Sequence, residues 1–220
     1  MLLPACHSDL GIVKNERSLY NVPMPRVSDA HLAARREQIL DAARRCFSRN
    51  GFHATSMQDV ISEAGLSVGA VYRYFKSKDE IRVAVAEETA GSVIADVAEV
   101  AHHEPPLALA EAMARVMAAL EPRVAEPDSV ARIAIQAWAE ALRDPSFAEF
   151  VEYAYRTMRT NFVTIARRAQ EAGHLAPDAD PEAIGAVLFG IVPGYILQRI
   201  ITGYPDQATF VAGLRALLAA

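Results

Sequence analysis

The stretch from Thr55 to Lys78, TSMQDVISEAGLSVGAVYRYFKSK, limits the fold more than any other part of the chain. Thr55 is placed to cap a helix, with Gln58 three residues on to close a capping box. Met57, Val60, Ile61 and Ala64 then form one apolar face at helical spacing. Gly65 ends that helix, because glycine enters the left-handed region without a Cβ clash. Leu66 plugs the turn, and Ser67 caps a second helix over 68–75. Ser77 opens a third, with Glu80 at its capping-box position. Two short helices across a tight turn, with an aromatic and basic exit, have the layout of a DNA-reading helix-turn-helix.

The net charge of −5 fits that reading only once it is divided. Residues 1–80 carry eleven Lys/Arg and nine Asp/Glu, a net of +2; residues 81–220 carry eleven and eighteen, a net of −7. The acidic part repels phosphate and is expected to face away from DNA. Two cysteines, Cys6 and Cys46, exclude a disulfide framework and fit a reducing, cytoplasmic setting. Cys46 falls on the apolar face of Ile39, Leu40, Ala43 and Phe47 and reads as a small core residue.

The rest of the chain reads as helix, with proline or glycine at nearly every break and no sustained strand alternation. Helices are expected over 29–50, 78–102, 107–120, 127–143, 145–172, 181–201 and 206–218. The fold class is therefore all-α. A three-helix reader over 29–77 precedes a larger helical ligand-binding and dimerisation bundle over 78–220. Residues 1–23 have no apolar run of signal-peptide length, no cationic start and no helical period. They are expected to be disordered, as part of an extension over 1–28, or to precede a translation start at Met24. The longest apolar run, Ala183 to Leu197, has fifteen residues and contains Pro193. It falls short of the roughly 20 needed to span a bilayer, so a buried, kinked helix and no membrane are expected.

With these residues in view, the segment from Arg36 to Ile81 resembles the Tet repressor family of one-component bacterial regulators. The likeness rests on Ile39-Leu40-x-Ala42-Ala43-x-x-x-Phe47-x-x-x-Gly51-Phe52, Thr55-Ser56, Gly65-Leu66-Ser67, Gly69-Ala70-Val71-Tyr72-x-Tyr74-Phe75 and Lys76-Ser77-Lys78. Ile61 stands where the family often has alanine, and Val68 where a lysine is common. The resemblance implies that the third helix lies in the major groove, with Ser67, Val68, Gly69, Ala70 and Arg73 nearest the base edges. Val68 and Ala70 then suit thymine methyls, and Arg73 a guanine or a phosphate. Tyr72 and Tyr74 resemble backbone contacts, as do Thr55 and Ser56 at a helix start and Lys78 beyond the reader. Arg35 and Arg36 are placed to reach flanking phosphates.

The resemblance also implies a homodimer on a palindromic operator, formed by the last long helices, with Ile184, Val187, Leu188, Ile191, Ile196 and Ile200 as interface candidates. A small lipophilic or aromatic effector, releasing the DNA, is expected in an apolar pocket. Its candidate residues are Met113, Met117, Trp138, Phe147, Tyr153, Tyr155, Phe162 and Phe189; each is also a candidate for plain core. Glu140, Glu149 and Glu152 would favour a cationic effector. No cofactor and no metal are expected.

Two alternatives lack specific DNA binding. One is a helical small-molecule-binding protein. The other is a di-iron-type enzyme, since Glu99-x-x-His102 and Glu171-x-x-His174 have the spacing of carboxylate bundles. Both histidines stand at helix ends, where they suit the final carbonyls. No phosphate-cradling glycine loop, zinc spacing or nucleophile elbow is present.

Overall fold

The computed structural model describes residues 29–125 and 129–218; the expectations for the N-terminal extension and for Cys6 lie outside them. The described residues form nine α-helices and no strand: α1 Asp29–Ala54, α2 Met57–Ala64, α3 Val68–Tyr74, α4 Lys78–Ala101, α5 Leu109–Ala125, α6 Val130–Ala141, α7 Pro145–Glu171, α8 Pro181–Thr202 and α9 Gln207–Leu218.

Helix ends follow from local chemistry. Gly51 interrupts α1 with φ 85°, and Gly65 closes α2 with φ 64° while its N–H reaches Ile61 and Ser62. Pro145 and Pro181 begin α7 and α8 behind Asp144 and Asp180, whose carboxylates accept from the first-turn amides. Proline is not always a stop. α5 runs through Pro122 to Ala125, past the expected end at Leu120, and buries Val124 beyond the proline. α8 likewise continues through Pro193.

Two apolar cores result. The first joins Ile39, Phe47 and Phe52 of α1 to Val60, Val71 and Phe75, and also to Ile81 and Val85 of α4, Ile133 of α6 and Phe147 of α7. The packing therefore does not divide at 77/78. α4, α6 and α7 each give side chains to the reader's core. The second core gathers α5, α7, α8 and α9 around Met113, Met117, Phe162, Leu188 and Tyr195.

α8 departs from the expectation of a buried helix. Its 22 residues are long and apolar enough to cross a bilayer by length and composition. In the fold it lies on α7, and Arg199 near its end pairs with Glu121 at 2.8 Å. One face packs through Leu188, Val192, Tyr195 and Ile196. The opposite face leaves Val187 65% and Ile201 75% exposed, with Leu197 beside them.

Candidate nucleic-acid interface and ligand cavity

The reader is built around two buried anchors. Val71 is fully buried and Phe75 is 4% exposed, so α3 is held by one side and presents the other. Ser67, Val68, Gly69, Tyr72 and Arg73 lie on the exposed side, with Ala70 and Tyr74 half-buried. The Ser67 hydroxyl accepts from the Ala70 amide at 3.3 Å. Val68 is 52% exposed at the first turn, an apolar side chain held in water by a well-anchored helix.

Several neighbouring polar groups prove to fasten the reader. The cap of α2 is Ser56, not Thr55. Its hydroxyl accepts from the Asp59 amide at 3.2 Å, and Asp59 accepts from the Ser56 amide at 2.7 Å. Overlapping three-residue spacings made Thr55–Gln58 look equivalent, but Thr55 is 1% exposed and its hydroxyl donates to the Gly51 carbonyl at 2.8 Å. A buried donor directed at its own chain does not meet phosphate. At Ser56 both the amide and the hydroxyl serve the Asp59 carboxylate, whose pKa those bonds lower. An internal anion already sits at that helix start.

Lys78 is likewise engaged within the chain. Its ammonium donates to the carbonyls of Phe52 at 2.9 Å, His53 at 3.4 Å and Thr55 at 2.8 Å. Its three partners are carbonyls at the end of α1 and just beyond it, where a helix carries partial negative charge. Arg36 is tied to Glu88 at 2.6 Å and lies 5.4 Å from the Phe75 ring centre; Arg35 donates to Gln38 at 2.7 Å. Glu80 accepts from the Lys76 amide at 2.6 Å, one residue ahead of the Ser77 cap, so the expected box is displaced by one position.

α6 carries the connection that local spacing did not reveal. On one side Gln136 donates to the Phe47 carbonyl at 3.0 Å and accepts from the Phe52 amide at 2.9 Å. Glu140, 8% exposed, meets His53 at 2.9 Å and Arg82 of α4 at 3.1 Å. Arg82 also donates to Asp144 at 2.9 Å, and its guanidinium lies 4.7 Å from the Phe147 ring centre. The other side of α6 lines a cavity of about 130 Å³ with Ala131, Ala134 and Trp138, facing α4, α5, α7 and α8.

Asp144 makes this clamp of α6 on α1 and α4, formed by His53, Arg82 and Glu140, sensitive to acid. The Ser146 hydroxyl and the Arg82 guanidinium, helped by the Ser146 and Phe147 amides, lower its pKa from 3.8 to about 2. A depressed carboxylate adds stability that is complete above its unfolded pKa and is lost as pH falls toward the folded value. Asp144→Asn keeps a capping side chain but removes the charge. The difference in urea midpoint between wild type and variant should therefore narrow from pH 5 to pH 2.5. An unchanged gap between them would refute the assignment.

Of the expected effector residues, Trp138, Tyr155, Phe162 and Phe189 line the cavity. Tyr155 meets Trp138 and Phe189 edge-on, at 6.2 and 5.0 Å between ring centres, and burial pushes its phenol pKa up. Met113 and Met117 do not line it; both are fully buried in the second core. Phe147 belongs to the reader's core, edge-on to Phe52 and tilted against Phe150. Tyr153 is 63% exposed on the outer side of α7. The three glutamates are elsewhere: Glu140 is in the clamp, and Glu149 and Glu152 face outward.

The expected dimer residues divide similarly. Leu188 and Ile196 are buried in this chain's own core, and Ile184, Ile191 and Ile200 pack partly against it. Only Val187 of the six is on the exposed face. For the metal alternative, the His102 ring contacts the Ala98 carbonyl of its own helix at 2.9 Å. Among the described residues no three His, Cys, Asp or Glu converge.

Comparison with known proteins agrees with this geometry. Residues 39–85 match the family of bacterial regulatory proteins of the tetR type, and residues 109–220 match the C-terminal part of BetI-type transcriptional repressors. The chain belongs to the TetR family of transcriptional regulators. Its relatives are regulators rather than enzymes. The HTH-type transcriptional repressor Rv1474c of Mycobacterium tuberculosis is 31% identical over 188 residues, 84% of this chain and 91% of that one. Salmonella enterica GusR has a similar fold, with a TM-score of 0.69 at 24% identity over 88% of this chain and 99% of that one. So does SmeT of Stenotrophomonas maltophilia, solved with triclosan, with a TM-score of 0.68 at 22% identity over 84% and 91%.

Proposed function

We propose that this TetR-family regulator is a cytoplasmic repressor, binding a palindromic operator as a homodimer and releasing it when a lipophilic or aromatic effector fills the cavity. Residues 29–77 read the DNA, and residues 78–220 bind effector and partner subunit. The observation that carries the coupling is α6, which lines the cavity with one side and holds the Phe47–His53 corner with the other. A ligand that moves α6 biases the reader without touching it, and it shifts the equilibrium only by its differential affinity for the two arrangements. The triclosan complex of SmeT supports an apolar effector by analogy.

The base-reading set is Ser67, Val68, Gly69, Ala70 and Arg73, flanked by Tyr72 and Tyr74. The outer stripe of α8, Ala183, Val187, Gly190, Gly194, Leu197 and Ile201, repeats every three to four residues and supports dimerisation.

Selection of bound DNA from a random pool, followed by titration at two salt concentrations, tests this reading. A two-fold symmetric consensus with a steep salt slope is expected. Arg73→Ala should weaken the selected site roughly 5- to 150-fold, the scale of a lost bidentate base contact. Tyr72→Ala/Arg73→Ala binding the operator as wild type would refute the interface.

A further inference from the structure

The cavity wall is nearly all carbon, apart from the polar tips of its aromatic rings, the Arg123 guanidinium and one buried hydroxyl. Thr89, in the middle of α4, lines the cavity, and its Oγ1 is buried without a hydrogen-bond partner. A helical threonine normally returns its proton to the carbonyl one turn back. Thr157, Thr160, Thr164 and Thr202 all do so here, at 3.0, 3.0, 3.0 and 2.8 Å. Those four are on outward-facing or half-buried parts of α7 and α8, where water could have served them. Thr89 has the greater need of a partner and has none. Leaving a buried hydroxyl unpaired costs on the order of 1–3 kcal/mol, so it calls for a function or a partner.

Charge narrows the class of ligand. No Asp or Glu lines the cavity among the described residues, so a cation finds no counter-charge. The one cationic neighbour among the described residues, Arg123, is already paired with Asp96 at 2.7 Å and donates to the Ala119 carbonyl and the Ser92 hydroxyl. An anion therefore gains little in exchange for its desolvation. The volume, about 130 Å³, is close to the roughly 150 Å³ that admits benzene in an engineered apolar cavity. Trp138, Tyr155, Phe162 and Phe189 supply ring faces and edges for a flat ligand.

We propose that the cavity binds a neutral, single-ring phenol, placed so that its hydroxyl pairs with Oγ1 of Thr89 while the ring packs among the aromatic side chains. This rests on the reading of the cavity as the effector site. The threonine hydroxyl can donate or accept, so it discriminates a hydroxylated ring from its hydrocarbon analogue without requiring charge. A site built to pair a hydroxyl rejects the analogue lacking it, because its own polar group is then left unpaired.

The test uses 4-methylphenol and 1,4-dimethylbenzene, which differ in shape by little more than hydroxyl for methyl. Binding is followed by the fluorescence of Trp138, the only tryptophan in the chain and part of the wall. Wild type should bind 4-methylphenol with a saturable fluorescence change. Thr89→Val should weaken the phenol about tenfold or more and leave the hydrocarbon unchanged or tighter; Thr89→Ser should restore the preference. Equal affinities in wild type and Thr89→Val, or no binding of 4-methylphenol, would overturn the proposal. Operator release is measured in parallel on the DNA selected above. Thr89-dependent binding without release would sink the effector reading and leave the ligand class standing. Release by either compound without dependence on Thr89 would do the reverse.

Discussion

Replacing Arg82 by alanine should cost this protein on the order of 3–5 kcal/mol, the usual penalty for removing one partner of a buried ion pair. The pair is buried on both sides: the Arg82 and Glu140 side chains are each 11% exposed, at 3.1 Å. Without the guanidinium, Glu140 keeps only His53, and the Phe147 ring loses the cation packed against it. In a chain of this size each kcal/mol lowers the melting temperature by about 2–4 °C, so a drop of roughly 10 °C is expected by calorimetry. A loss of under ~1 kcal/mol would show that solvent reaches the clamp and that it is a surface pair. The double replacement Arg82→Met/Glu140→Met separates stability from signalling. Well-packed apolar substitutes for a buried pair are often neutral, so much of the stability should return. Operator binding should return with it, whereas release by effector should be blunted, because α6 no longer holds α4 through charge.

The same clamp shows where the sequence was informative and where it was not. Helix order and most helix ends were legible because they are local: Ser67, Gly65, Pro145 and Pro181 act on amides and carbonyls within four residues. The helix-turn-helix was legible for the same reason. The bonds of Lys78 were illegible because its three carbonyl partners lie 23 to 26 residues earlier, across the turn from α1 into α2. Thr55 and Ser56 have overlapping spacings, and only the burial of Thr55 decides between them. Arg82, Gln136 and Glu140 carry no motif. Their pairing spans 58 residues or more and exists only because α6 crosses α1 and α4. The candidates that line the cavity, Trp138, Tyr155, Phe162 and Phe189, were indistinguishable in sequence from Met113, Met117 and Phe147, since the lining of a cavity and the filling of a core use the same side chains. The face of α8 was illegible because the helix is apolar all round. Periodicity selects a face only where polar residues mark the other.

Two glycines on α8 therefore provide a clean experiment on which face does what. A Cβ at Gly185 would stand 2.7 Å from both Cα and N of Val163 on α7, and 2.6 Å from its Cγ2. Two of those atoms are backbone of the longest helix in the fold, so rotamer adjustment brings no relief. Gly185→Ala should force α7 and α8 apart and cost about 3 kcal/mol, the upper end of what overpacking usually does. The separation would also disturb Val192 and Ile196 along the cavity wall. Gly190 is different: among the described residues, its own turn of helix aside, nothing lies within 4 Å of the position its Cβ would take. In an isolated subunit Gly190→Ala should gain roughly 0.5–1 kcal/mol, from removing a glycine inside a helix. If the outer stripe of α8 meets its counterpart in a second subunit, Gly190→Leu should raise the dimer dissociation constant, as measured by analytical ultracentrifugation, while leaving the fold intact by circular dichroism. A Gly190→Leu variant that dimerises like wild type would remove this face from the interface. A Gly185→Ala variant as stable as wild type would mean that α7 and α8 have room to separate where they cross.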